Sequence, residues 1–273
     1  MTAPQIPAAR TAIPSITVRA RDVLACEWTK LRSVRSTYWS LLIAAVFAIG
    51  YSATAAGVYA ATPRPKAAAA APLDPLVVSF AGLLYAVLAV GVLGVLSFSS
   101  EYATGLIRTT FTAVPRRLAV LAAKAATAGT AALITGELLA FASFFLAQAI
   151  LSGHHLGISL SHPGVPGAVL AAGFLPFACA LVGLGLGAII RHTAGAVAAL
   201  SGLIYLPAIL YISLPPPWNE RIGRFTLTIA GTQVVALHPQ KGLLSPAVSM
   251  LVIITWTAAT LLAAALLITR RDA

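Results

Sequence analysis

The run WSLLIAAVFAIGYSATAAGVY, residues 39–59, carries no charged side chain, and five more runs of similar length follow it: 76–98, 125–151, 165–190, 194–213 and 246–268. A helix rises 1.5 Å per residue, so about 20 apolar residues cross the hydrocarbon layer of a bilayer. Only helices and closed barrels satisfy every backbone polar group in lipid, and unbroken apolar runs of this length fit helices. Charged residues make up 9% of the chain, against roughly a quarter in soluble domains, and mean hydropathy is +0.91. The sequence therefore predicts an all-α integral membrane protein with six transmembrane helices.

The breaks between the runs are plainly marked. TPRPKAAAAAPLDP at 62–75 is proline-rich and charged, SGHHLGISLSHPG at 152–164 is polar, RHT at 191–193 is a tight turn, and LPPPWNERIGR at 214–224 has three successive prolines that remove amide donors. Basic residues fall unevenly across these breaks. The tail 1–38, the connection 99–124, the turn 191–193 and the C-terminus hold thirteen Lys and Arg, and the opposite connections hold five. The positive-inside bias then puts both termini in the cytoplasm. FTLTIAGTQVVAL, 225–237, is apolar but too short to span, and reads as a re-entrant or interfacial helix on the outer side before span six.

The domain reading is a cytoplasmic N-terminal segment over 1–38, containing an amphipathic interfacial helix, and a six-helix membrane domain over 39–273. The first apolar run exceeds a signal-peptide core, so no cleaved leader is expected. The excess of 18 basic over 7 acidic residues is explained by topology and anionic lipid rather than by nucleic acid. Cys26 and Cys179 lie far apart and indicate no disulfide framework.

One connection stands apart. SSEYATGLIRTTFTAVPRRLAVLAAK, 99–124, gathers Glu101, Arg108, Arg116, Arg117 and Lys124 in a charge-poor chain. Taken as a short helix over 104–114, it places Leu106, Ile107, Thr110, Phe111 and Val114 on one face, with Arg108, Thr109 and Thr112 on the other. Pro115 ends it, because the residue before a proline disfavours the helical region. Glu101 could accept from Arg108 or from amides opening the short helix, or be a solvated loop charge.

Glu101, three intervening residues, Gly105, a hydrophobic pair, Arg108, then Pro115-Arg116-Arg117 and Lys124 opening a helix together resemble the ABC-2 permease family, the membrane subunits of type 2 ATP-binding cassette exporters. CEWTKLRSVRSTYWSLL, with Glu27, Trp28, Lys30 and Arg32, looks like that family's N-terminal interfacial helix leading into span one. Family members often carry Thr or Ser after the glycine, where this chain has Leu106. The resemblance implies that the connection is a coupling helix docking on a separate ATPase. This chain has no phosphate-cradling G-x-x-x-x-G-K-[ST] loop, so ATP and Mg belong to that partner, and the chain itself is expected to bind no cofactor and to be no enzyme. It further implies pairing with a second permease, itself or a sister, in a bacterial plasma membrane.

Glu137 is the one ionisable residue inside a predicted span. A carboxylate at bilayer depth costs about 2.5–3.5 kcal/mol on insertion scales, so it either lines a path or couples spans, or is a protonated or hydrogen-bonded packing residue. His154, His155 and His162 share one loop without Cys or carboxylate, and no metal site is expected there. Gly183 and Gly187 form a small-residue face, and Pro176 and Pro207 fall inside spans four and five. A secondary transporter would show paired intramembrane ionisable residues or inverted halves, and an intramembrane enzyme a catalytic set. Neither pattern is visible, so an exporter is favoured, with a secondary, ion-coupled transporter or a non-transport membrane scaffold protein as the alternative.

Overall fold

The computed structural model describes residues 19–62, 74–215, 218–238 and 242–270. Every regular element among them is helical. Helix α1 (Ala20–Ser33) precedes a first long helix made of α2 (Arg35–Ala45), a π-helical turn (Val46–Tyr51) and α3 (Ser52–Ala61). Then come α4 (Pro75–Ser79), α5 (Leu83–Ala103), the short α6 (Leu106–Ala113), α7 (Arg117–Ser152), α8 (Val165–Ile190) and α9 (Thr193–Ser213). Two short helices, α10 (Trp218–Gly223) and α11 (Leu227–Val235), lead to α12 (Pro246–Arg270). Six of these units, Arg35–Ala61, α5, α7, α8, α9 and α12, are long and apolar enough to cross a membrane, and the chain is a multi-pass membrane protein.

Helix α8 is the hub and the most buried of the six. It packs on α5, α7, α12, α9 and α11. Its glycines make that possible, because without side chains two backbones approach closely and gain dispersion contacts that apolar lipid does not replace. A Cβ on Gly183 would collide with the Gly91 carbonyl of α5, and one on Gly187 would come within 2.7 Å of the Val95 carbonyl. The small-residue face is thus used inside the chain. Helices α2, α9 and α12 instead expose Trp39, Leu42, Ile209, Ile212, Leu251 and Leu262, surfaces that lipid covers at no hydrophobic cost.

Several expected boundaries change. Span two, expected over 76–98, is interrupted at Phe80–Gly82, so that α4 and α5 are separate helices. The interruption fits against the π turn of span one. The Gly82 amide donates to Ser52 Oγ at 3.0 Å, and a Cβ at Gly82 would strike the Phe47 and Ala48 carbonyls. Span two also runs past Glu101, and span three starts at Arg117 rather than 125. Both helices continue through charged residues because those charges neutralise one another, as described below. Within α8 and α9, Pro176 and Pro207 are accommodated without ending either helix.

The apolar segment 225–237 forms α11, nine residues long and largely buried against α12, α8 and α9. Asp74 fastens it to the start of span two. Its carboxylate caps α4 by accepting from the Leu76 amide at 2.9 Å, and also accepts from the Leu237 and His238 amides at 2.6 and 3.0 Å. Residues 1–18, the greater part of 62–75, and Lys241 and Arg271, which entered the charge count, lie outside the described residues.

Candidate functional site

Four charged side chains from three helices meet at the end of the bundle that carries both α1 and α6. Glu27 and Lys30 come from α1, one helical turn apart, so they share a face. Glu101 comes from the last turn of α5 and Lys124 from the third turn of α7. The Lys124 ammonium donates to Glu27 Oε2 at 2.7 Å, to Glu101 Oε1 at 2.7 Å and to the Ser97 carbonyl at 3.0 Å. All three of its protons are therefore used. Lys30 donates to Glu27 Oε1 at 2.8 Å and to Glu101 Oε1 at 2.7 Å. The Phe98 ring centroid lies 5.7 Å from the Lys124 nitrogen.

Burial makes this arrangement consequential. The Lys124 side chain is 1% exposed and both carboxylates 7%, whereas Lys30 is 40% exposed. Two positive and two negative charges leave the quartet neutral, which offsets part of the desolvation cost that an isolated buried ion would carry. A cavity of about 350 Å³ opens beside it, lined in part by Ser33, Ser36, Ser97 and Ser100, on the side that Lys30 faces. Burial works against the Lys30 ammonium, but hydrogen bonds to Glu101 and Glu27 outweigh it and raise its pKa above the ordinary lysine value.

Helix α6 hangs from this cluster. Gly105 precedes it with φ +73°, a left-handed conformation that glycine adopts without steric penalty and that turns the chain sharply out of α5. Ile107 is buried, with Thr110, Phe111 and Val114 partly so, and Leu106, Arg108, Thr109 and Thr112 are exposed. The amphipathic face expected from sequence is present with one exception. Leu106, expected on the apolar face, is 55% exposed at the first helical position, on the rim of the cavity. Thr110 reaches back to Glu101 Oε2 at 3.4 Å. Arg117 lies over the Phe111 ring, 5.4 Å from its centroid, and donates to the Ile268 carbonyl near the end of α12 at 3.0 Å. Arg191, in the turn between α8 and α9, lies 5.0 Å from the Tyr102 ring centroid.

The pairing expected for Glu101 is corrected. It does not pair with Arg108, which is exposed, nor with the amides opening α6, where the Arg108 amide donates to the Gly105 carbonyl. Its partners are Lys30 and Lys124, because one buried and one half-buried ammonium within hydrogen-bond distance offer more than one solvated guanidinium. Of the N-terminal set, Glu27 and Lys30 enter the quartet, while Trp28 and Arg32 are exposed on other faces of α1. Pro115 and Arg116 are exposed between α6 and α7, with Arg116 in the N-cap position of α7. Glu137 lies far from this cluster, over Gly173 of α8. Sequence reading missed that Lys124 belongs with Glu27. The available signal was the match of two Glu and two Lys flanking apolar helices.

No protein-family model matches this chain, and no curated protein is significantly similar to it.

Proposed function

We propose that this chain is the membrane subunit of an ATP-binding cassette exporter, a permease driven by a separate ATPase that docks on residues 101–117. The observation that carries the reading is the bracing of α6. Its exposed face presents Arg108, Thr109 and Thr112, while its buried face reaches α5 through Glu101, α7 through Arg117, and α12 through the bond from Arg117 to Ile268. A force applied to such a helix is delivered to several spans at once, because packed interiors transmit displacement rather than absorb it. The quartet adds α1, so that an N-terminal helix lying along the cytoplasmic membrane surface moves with the same unit.

In this reading both termini are cytoplasmic, in keeping with thirteen basic residues on that side against five on the other. Helix α11 is the outer re-entrant element, too short to span and fastened by Asp74. ATP and Mg are bound by the partner ATPase, closure of two such ATPases drives the paired α6 helices, and the permease pairs with a second permease in a bacterial plasma membrane. Co-purification and ATPase assays in nanodiscs test the docking. Arg108→Glu reverses charge on the exposed face and is expected to abolish substrate-stimulated hydrolysis while leaving the permease folded. Unchanged partner binding and unchanged hydrolysis in Arg108→Glu would return α6 to an ordinary surface turn.

A further inference from the structure

Apart from the quartet and the residues at helix ends, Glu137 is the one Asp, Glu, Lys or Arg in the six spans. It lies in α7, thirteen residues beyond Lys124, about 20 Å along the axis at 1.5 Å per residue. Its carboxylate occupies the notch left by Gly173, where a Cβ would stand 2.6 Å from Oε1. Oε2 is buried with no hydrogen-bond partner. A carboxyl group so placed lacks a counter-charge, and an ionisable group at bilayer depth ordinarily has one.

The face of α7 that carries Glu137 continues with aromatic rings. Phe141 and Phe145 follow at one and two helical turns, stacked with centroids 6.3 Å apart. Phe145 is 55% exposed, and Ile134 and Leu138 beside them are also exposed. Glu137 and Phe141 are half-buried at the edge of α7 and Phe145 is exposed, so a carboxylate and aromatic rings, whose ionic charge and quadrupole both attract an organic cation, follow one another where the helix meets lipid. A metal ion does not fit. Hard cations need several oxygen ligands, and no group of three or more His, Cys, Asp or Glu side chains able to hold a metal occurs among the described residues. A cation with apolar substituents satisfies Glu137 and leaves its remaining surface in lipid.

We propose that Glu137, Phe141 and Phe145 form a membrane-facing site for lipophilic organic cations, such as quaternary or protonated tertiary amines and phosphonium ions, and that these are the permease's cargo. As a statement about cargo this rests on the exporter reading. As a statement about binding it is measured on the permease alone, so the two fail separately.

The test is equilibrium binding of radiolabelled tetraphenylphosphonium to the full chain in phosphatidylcholine nanodiscs, without ATPase and with empty nanodiscs subtracted. Saturable binding is expected, weakened about tenfold or more in Glu137→Gln and several-fold in Phe145→Ala, with Glu137→Asp intermediate. Anionic tetraphenylborate should not compete. If Glu137→Gln does not purify as a folded protein, Phe145→Ala decides the matter, since that ring is more than half exposed and its loss removes only edge contacts to Phe141 and Phe144. Binding no greater than in empty nanodiscs overturns the site. So does equal affinity in native protein and Glu137→Gln, or, where that variant does not fold, in native protein and Phe145→Ala. Confirmed binding with no ATPase response to tetraphenylphosphonium in the assembled complex keeps the site and removes its role in export.

Discussion

Lys124 and Glu101 are 23 residues apart in sequence and 2.7 Å apart in the fold, on helices that run in opposite directions on either side of α6. Their contact closes the α5–α6–α7 hairpin at its base, and Glu27 brings α1 onto the same ammonium. Removing one member of a buried ion cluster costs more than the intact cluster contributes, because the remaining charges stay desolvated without compensation.

Lys124→Met should therefore destabilise the folded protein by about 3–5 kcal/mol, since it leaves two buried carboxylates with Lys30 as the one cation bonded to them. The measurement is thermal or denaturant unfolding in nanodiscs. Adding Glu101→Gln in the same chain should cost less than the sum of the two single changes, the coupling expected of direct contact. Full additivity would mean that the pair does not interact in the membrane.

The pH response of α1 follows from Lys30. Its folded pKa is raised, so the stability it contributes is fully present below its unfolded value of 10.5 and is lost as pH rises through the folded value. Docking of α1 on the bundle, followed by hydrogen exchange over residues 20–33, should show no dependence on this lysine between about pH 6 and 9 and should weaken only in strong alkali. Lys30→Gln should remove that alkaline step. A step that persists in the variant would assign it elsewhere.

Close packing of α5 and α8 gives a sharp contrast between two glycines. Gly183→Val drives a side chain into the Gly91 carbonyl and should prevent a stable fold, read as loss of monodisperse protein. Gly57→Ala meets open space and should be neutral or stabilising by about 0.4–1 kcal/mol. Equal tolerance of both would mean that α5 and α8 are not in contact.

Orientation is checked by accessibility. In a chain with Cys26→Ser, Ser161→Cys should react with an impermeant maleimide only from the outside of right-side-out vesicles. Ser161 is exposed in the loop between α7 and α8, and Cys179 is buried. Labelling from the opposite side alone would invert the topology.

The six spans were legible because hydropathy over about 20 residues is a strong and local signal. Their ends were not. Glu101 and Lys124 read as marks of a loop, since a charge beside an apolar run ordinarily ends it. Here each charge is answered by another, and the helices run on. The answering residue Glu27 lies 97 positions from Lys124, a separation that no periodicity records. The break at Phe80–Gly82 was hidden for the opposite reason, since every residue there is apolar or glycine and hydropathy cannot tell a turn from a helix. Pro115 was legible as the end of α6, because proline restricts the residue before it, but the start was not: the helix expected over 104–114 begins at Leu106, since Gly105 takes a left-handed turn that glycine permits without requiring.

Both lysines at the α1 and α6 end of the bundle belong to the quartet, and the other basic residues described there are arginines: Arg19, Arg21, Arg32, Arg35, Arg108, Arg116, Arg117, Arg191 and Arg270. A guanidinium stays charged across the whole biological pH range and offers no amine to acylating enzymes or reagents. The arginine share of the positive field at this end is consequently constant. Lysine acetylation therefore has little to act on at this end outside the quartet, and its attraction to anionic headgroups or to an acidic protein surface is weakened by salt, through screening.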